Sequence, residues 1–195
     1  MTKGEWCRLA LWGGGFAALV LARPAAAQGG PAASGFRAPV LSQSDTGKLK
    51  GPRQPIFFRH DIHAGQDRIP CMYCHYSAAR SSEPGIPSVQ TCIGCHQIIN
   101  GTTDSHRAEI TKIRSAWRDR TAPEWIRIYA VPDFVHFPHM RHIKVLGTGP
   151  ESCANCHGDV ARQPQVSQVS TLKMGWCIRC HVERKVTRDC TACHF

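Results

Sequence analysis

The chain has 195 residues, enough for one modest domain. Its formal charge of +10, from 24 Lys and Arg against 14 Asp and Glu, invites a nucleic-acid reading. No arginine-rich tract and no nucleic-acid-binding motif accompanies that charge, and we exclude the class.

Residues 1–27, "MTKGEWCRLALWGGGFAALVLARPAAA", have the layout of a secretory signal peptide. Lys3 and Arg8 precede an apolar run from Leu9 to Ala22, and Ala25-Ala26-Ala27 offers a small-residue cleavage site. The run is 14 residues long, whereas a spanning helix needs about 20. A retained membrane anchor is therefore the weaker reading, and export to the periplasm is expected. Cleavage removes Cys7 and leaves ten cysteines, with 21 Lys and Arg against 13 Asp and Glu, or +8. Residues 28–54 are rich in Gly, Pro, Ala and Ser without apolar periodicity, and predict a flexible arm or linker.

From residue 55 to 195 the chain reads as one domain containing an imperfect duplication. The first copy, 55–100, runs "FFRHDIHAGQDRIPCMYCH" and then "PSVQTCIGCH"; the second, 136–182, runs "HFPHMRHIKVLGTGPESCANCH" and then "STLKMGWCIRCH". Each has a Phe, a His-x-x-His pair and two C-x-x-C-H motifs, and a fifth motif at 190–194 closes the chain. The connecting segment, 101–135, holds Ile110, Ile113 and Trp117 at helical spacing, with Ser105 as the expected N-cap. Arg107, Lys112, Arg114 and Arg118 line the other face of that helix. They read first as a solvated face, with docking of an acidic partner as the sharper alternative. The following "EWIRIYAVPDF" alternates like a strand or extended segment.

The ten remaining cysteines all fall inside the five motifs, so none is left over for a disulfide framework. In C-x-x-C-H the two thiols, Cys71/Cys74, Cys92/Cys95, Cys153/Cys156, Cys177/Cys180 and Cys190/Cys193, add to the vinyl groups of a haem. The next residue then becomes the proximal iron ligand, which assigns His75, His96, His157, His181 and His194. Single C-x-x-C pairs also make zinc or redox sites; five with His at the same offset point to five covalent haem c groups. Each ferric haem with ionised propionates contributes roughly −1, so much of the basic excess reads as counter-charge. At one macrocycle for roughly 34 residues, the apolar interior is expected to be mostly porphyrin. The expected fold is mainly α and irregular, with little regular secondary structure.

Six histidines remain for the second axial positions. Residues three apart lie on neighbouring helical faces, whereas the two ligands of one iron are trans. His60/His63 and His139/His142 are therefore each expected to serve two different haems. For the fifth iron, His106, His136 and Met174 compete, with Met140 behind them. Met174, where the first copy has Val89, is the preferred reading; a thioether there would raise that haem's potential.

The patterns "F-x-H-x-x-H-A-G … C-x-Y-C-H … G-I-P-S-x-Q-T-C-x-G-C-H" over 58–96, "W-I-R-I-Y-A-V-P-D-F-V-H-F-P-H-M-R-H" over 125–142 and "T-L-K-M-G-W-C-I-R-C-H" over 171–181 carry a resemblance. The chain resembles the pentahaem cytochrome c subunit of alternative complex III, related to small class III (c7/c3-type) multihaem cytochromes. The resemblance spans nearly all of 55–195. It implies an electron-relay subunit, not itself an enzyme, on the outer face of a membrane-bound quinol-oxidising complex. The implied partners are an iron–sulfur/molybdopterin-like subunit, a monohaem cytochrome c and a quinol-binding membrane subunit. It also implies distal roles for His60, His63, His139 and His142, with Met174 as fifth, and demotes His136. The subunits it resembles look membrane-anchored at their amino terminus, where this chain has a cleavable-looking site. A soluble periplasmic shuttle of the class III type is the alternative function. A substrate-reducing multihaem enzyme would need an open iron, often marked by C-x-x-C-K, and no such motif is present.

Overall fold

A computed structural model describes residues 35–195, so the expected signal segment 1–27 and the start of the arm lie outside the described residues. Regular structure among the described residues is helical, without a strand. The helices are α1 (Gln43–Thr46), α2 (Cys71–Cys74), α3 (Val89–His96), α4 (Asp104–Arg118), α5 (His139–Leu146), α6 (Pro150–His157) and α7 (Met174–Glu183). Short 3-10 turns cover Tyr76–Ala79, Val160–Arg162 and Cys190–Ala192, and one π-helical turn covers Asp61–Gln66. None of these helices is long and apolar enough to cross a membrane. The alternating "EWIRIYAVPDF" is irregular, with no ladder partner.

Apolar burial is sparse. Among the described residues the buried apolar side chains are Ile56, Ala78, Ile93, Ile110 and Ile113. Ile56, Ile93 and Ile113 pack with Val89, Cys92 and Trp125, which seats α4 on α3. At about 1.5–3 kcal/mol for each buried aliphatic side chain, this cluster anchors one corner but falls well short of a core for a domain of this size. Large apolar side chains stand exposed beside the motifs instead: Tyr73 within the first, Ile98 after His96, Val182 after His181 and Phe195 after His194. Exposed apolar side chains beside the motifs offer surface that another apolar body could cover.

α4 is capped two residues earlier than its sequence suggests. The side chain of Thr103, not Ser105, accepts from the His106 N–H at 3.1 Å. Thr103 has the extended backbone that an N-cap requires, whereas Ser105 already lies inside the helix. The basic face of α4 is satisfied within the chain. Arg107 pairs with Asp104, Lys112 with Glu109 at 2.8 Å and Arg118 with Asp119 at 2.8 Å, while Arg114 donates to the His96 and Gln97 carbonyls. This local pairing favours the solvated-face reading of α4.

The described part of the 28–54 segment makes several contacts with the rest of the chain. Ala38 N–H donates to Gln66, Arg59 donates to the Pro39 carbonyl, and Arg162 stacks over Phe36. Gln165 donates to the carbonyls of Lys50 and Gly51, and Gln54 exchanges two hydrogen bonds with Ile126. Gly51 has φ +89°, and a Cβ there would run into the Val166 carbonyl, so this approach requires glycine. The two copies also touch. The N–H groups of His139 and Met140 donate to the Ser82 and Ser81 carbonyls, and the π turn packs against the 160–162 turn.

Candidate haem sites

Each C-x-x-C-H motif winds into a helical segment: α2, the last turns of α3 and α6, the middle of α7, and the 190–192 turn. One helical turn brings the two cysteines, three apart, onto the same side. The histidine that follows is carried on or just beyond the segment. None of the ten cysteines is in a disulfide.

Four of the five motif histidines face a second histidine. His75 lies opposite His60 with ring centres 6.5 Å apart, His96 opposite His63 at 5.9 Å, His157 opposite His139 at 6.5 Å, and His181 opposite His142 at 6.2 Å. These rings are too far apart for stacking contact. Two metal–nitrogen bonds of about 2 Å each, plus the reach of each ring, place trans imidazoles roughly 6 Å apart. The spacing therefore fits a metal held between two rings, and among the described residues no cluster of three or more His, Cys, Asp or Glu side chains offers a zinc-type site instead. The remaining in-plane ligands would have to come from the porphyrin.

The hydrogen bonding of the rings agrees with that role. Nδ1 of His63, His96, His139, His142, His181 and His194 each donates to a backbone carbonyl, at 2.6–3.1 Å. With Nδ1 protonated, Nε2 keeps its lone pair for a metal. Burial pulls His60 down to about 4, with neighbouring His75 and His63 adding to it, and burial likewise lowers His63, His75, His142 and His157. Neutral imidazole is the ligating form.

The two copies repeat one device. Phe58 stacks on His63 (4.4 Å, 26°) and meets His60 edge-on (4.7 Å, 83°); Phe137 stacks on His142 (4.1 Å, 28°) and meets His139 edge-on (4.8 Å, 84°). The second histidine of each pair also donates to the carbonyl four residues earlier, Arg59 or Pro138. A Phe wedge and one carbonyl thus turn two neighbouring imidazoles toward different motifs. The device survives although the backbone is a π turn in one copy and the α-helix α5 in the other.

The fifth motif is different. The His194 ring has Phe134 at 5.8 Å as its neighbour, and among the described residues no imidazole faces it at the axial spacing. His136 is brought to this motif: its N–H donates to the Cys193 carbonyl at 2.8 Å, while its ring stacks on Phe195 at 4.2 Å. Met174 opens α7, is 64 % exposed and lines a shallow hollow with Ile178 and Val186. His106 lies instead beside Arg59, Asp61 and His63 in the first copy.

Neighbouring thiols put the motifs in a spatial order. Cys74 and Cys92, both raised chiefly by burial, lie near each other, and Cys95 adds to the effect at Cys74. Cys71 and Cys153 share a hydrogen bond that lowers the first and raises the second. Cys156 neighbours Cys180 and Cys177, and Cys177 neighbours Cys193. The sites follow one another as His96, His75, His157, His181, His194. Sequence reading missed this order and the buried pair of Arg59 with Asp61, because both arise from contacts between segments.

Described residues that are helical and without a strand, with facing histidines beside C-x-x-C-H motifs, are consistent with a small multihaem cytochrome. No protein-family model matches the chain. It is 27% identical over 160 residues, 72% of this chain and 74% of the other, to the menaquinone reductase, multihaem cytochrome c subunit, of Nitratidesulfovibrio vulgaris (strain ATCC 29579 / DSM 644 / CCUG 34227 / NCIMB 8303 / VKM B-1760 / Hildenborough). This similarity supports the multihaem cytochrome c class.

Proposed function

We propose that the chain is an electron-relay subunit carrying five covalent haem c groups, exported to the periplasm and held at the membrane by partner subunits of a quinone-linked complex. The single observation that carries this reading is the set of four facing histidine pairs, each pairing a motif histidine with one from a His-x-x-His. Bound haem supplies reversible one-electron chemistry at iron. The ten motif cysteines would attach it, and His60/His75, His63/His96, His139/His157 and His142/His181 would hold four of the irons, leaving no open position there. Closed axial positions favour transfer over substrate binding. For the fifth iron we retain Met174 as distal ligand; a Met-to-iron charge-transfer band in the oxidised protein, lost in Met174→Leu, is expected, and persistence of the band in that variant would exclude it.

The motifs over 58–96, 125–142 and 171–181 favour a complex of the alternative complex III type, oxidising quinol with iron–sulfur/molybdopterin-like, monohaem cytochrome c and quinol-binding partners. A second reading, electron delivery toward quinone, is favoured by the similarity to a menaquinone reductase subunit. Purifying the chain with its partners from native membranes and assaying both directions distinguishes them. Quinol-driven reduction of the haems supports the first, haem-driven quinone reduction alone supports the second, and recovery only as a free periplasmic monomer contradicts both in favour of a soluble shuttle.

A further inference from the structure

The most deeply buried charged group among the described residues is Asp61, at 0 % exposure, and it lies between the two histidines of the first pair. Arg59, 5 % exposed, grips it with two parallel hydrogen bonds: Nε to Oδ1 at 2.6 Å and Nη2 to Oδ2 at 2.5 Å. Arg59 Nη2 also donates to the Pro39 carbonyl, and the backbone carbonyl of Arg59 accepts from His63 Nδ1. His60, His63 and His106 all feel the charge of Asp61.

The second copy has no counterpart. Where the first reads Phe58-Arg59-His60-Asp61-Ile62-His63, the second reads Phe137-Pro138-His139-Met140-Arg141-His142. Yet the Phe wedge and both facing pairs are reproduced there, so the geometry of the site does not require the ion pair. A buried ion pair is also a weak device for stability, since burying both charges offsets much of their attraction. What distinguishes the first copy is therefore electrostatic. A buried carboxylate next to two axial ligands stabilises the ferric state of both irons, and an adjacent guanidinium opposes it, both acting through a low-dielectric interior.

We propose that Asp61 and Arg59 are positioning residues that set the reduction potentials of the His60/His75 and His63/His96 irons, with opposite signs, and leave the second copy's pair unaffected. This rests on the haem-relay reading above. The test is a potentiometric titration of the holoprotein, monitored by electron paramagnetic resonance, for wild type, Asp61→Asn, Arg59→Met and the double variant. Asp61→Asn is expected to raise both first-copy potentials by at least a tenfold change in the one-electron equilibrium constant, about 59 mV. Arg59→Met is expected to lower them, and the double variant, structurally the most disturbed, to return close to wild type. If Arg59→Met does not assemble, Asp61→Asn and the double variant carry the same comparison.

A purely structural clamp predicts the reverse ranking, with the double variant most altered. Five-haem variants whose potentials do not move, move in the same direction, or move equally in both copies would overturn the inference and leave the relay reading intact. Absence of haem from the wild-type protein would instead defeat the reading itself.

Discussion

His60 shows how burial prepares a ligand. An unfolded-chain histidine titrates near 6.5, whereas in the fold His60 stays neutral down to about 4, chiefly through burial. The stability gained by keeping it neutral is complete above about pH 6.5 and falls as the pH drops from there toward 4. The unfolding midpoint should therefore decline as the pH falls from about 6.5 toward 4. A midpoint unchanged across that range would contradict this account of His60. Removing one distal ring tests the pairing itself. His142→Ala should leave five haems attached but open the iron of His181, so that the reduced variant binds CO at one site more than wild type. Unchanged CO binding would show that His142 does not close that position.

At the scale of elements, two unlike backbones present the same arrangement. The π turn Asp61–Gln66 and the helix α5 each hold two histidines around a Phe, yet the facing rings differ in rotation. Interplanar angles are 8° for His60/His75 and 19° for His139/His157, against 67° for His63/His96 and 39° for His142/His181. Ring rotation about the axial direction sets the splitting of the iron d orbitals in a low-spin ferric haem. Near-parallel pairs should give ordinary rhombic resonance signals, and the His63/His96 site a strongly anisotropic one with a large low-field component. That component should vanish in His63→Ala. Four identical rhombic signals would mean that the rings do not sit as the structure has them.

The spacing of Phe, His-x-x-His and C-x-x-C-H was readable because each is local: one turn of helix fixes which residues share a side. The partner across each gap was not. Nothing within the sequence joins His142 to His181 rather than to His157; only the folded chain sets His142 opposite His181 and His139 opposite His157. The N-cap of α4 is Thr103 rather than Ser105 because the polar run Thr103-Asp104-Ser105 repeats nearly the same signal. The sequence pattern carries no sign of the burial of Asp61 or of its grip by Arg59, which belong to the folded chain. Composition likewise gives no sign that Gln165, more than a hundred residues away, donates to the carbonyls of Lys50 and Gly51.

For the molecule as a whole, the described chain buries few apolar side chains of its own and leaves many exposed beside the motifs. That distribution suits a protein whose interior is largely its prosthetic groups, and it makes folding depend on their attachment. Mass spectrometry of the mature polypeptide from its native host tests this most directly. The account predicts an added mass of five haem groups, with all ten motif cysteines resistant to thiol alkylation. A polypeptide without added haem mass, its ten thiols free, would contradict it.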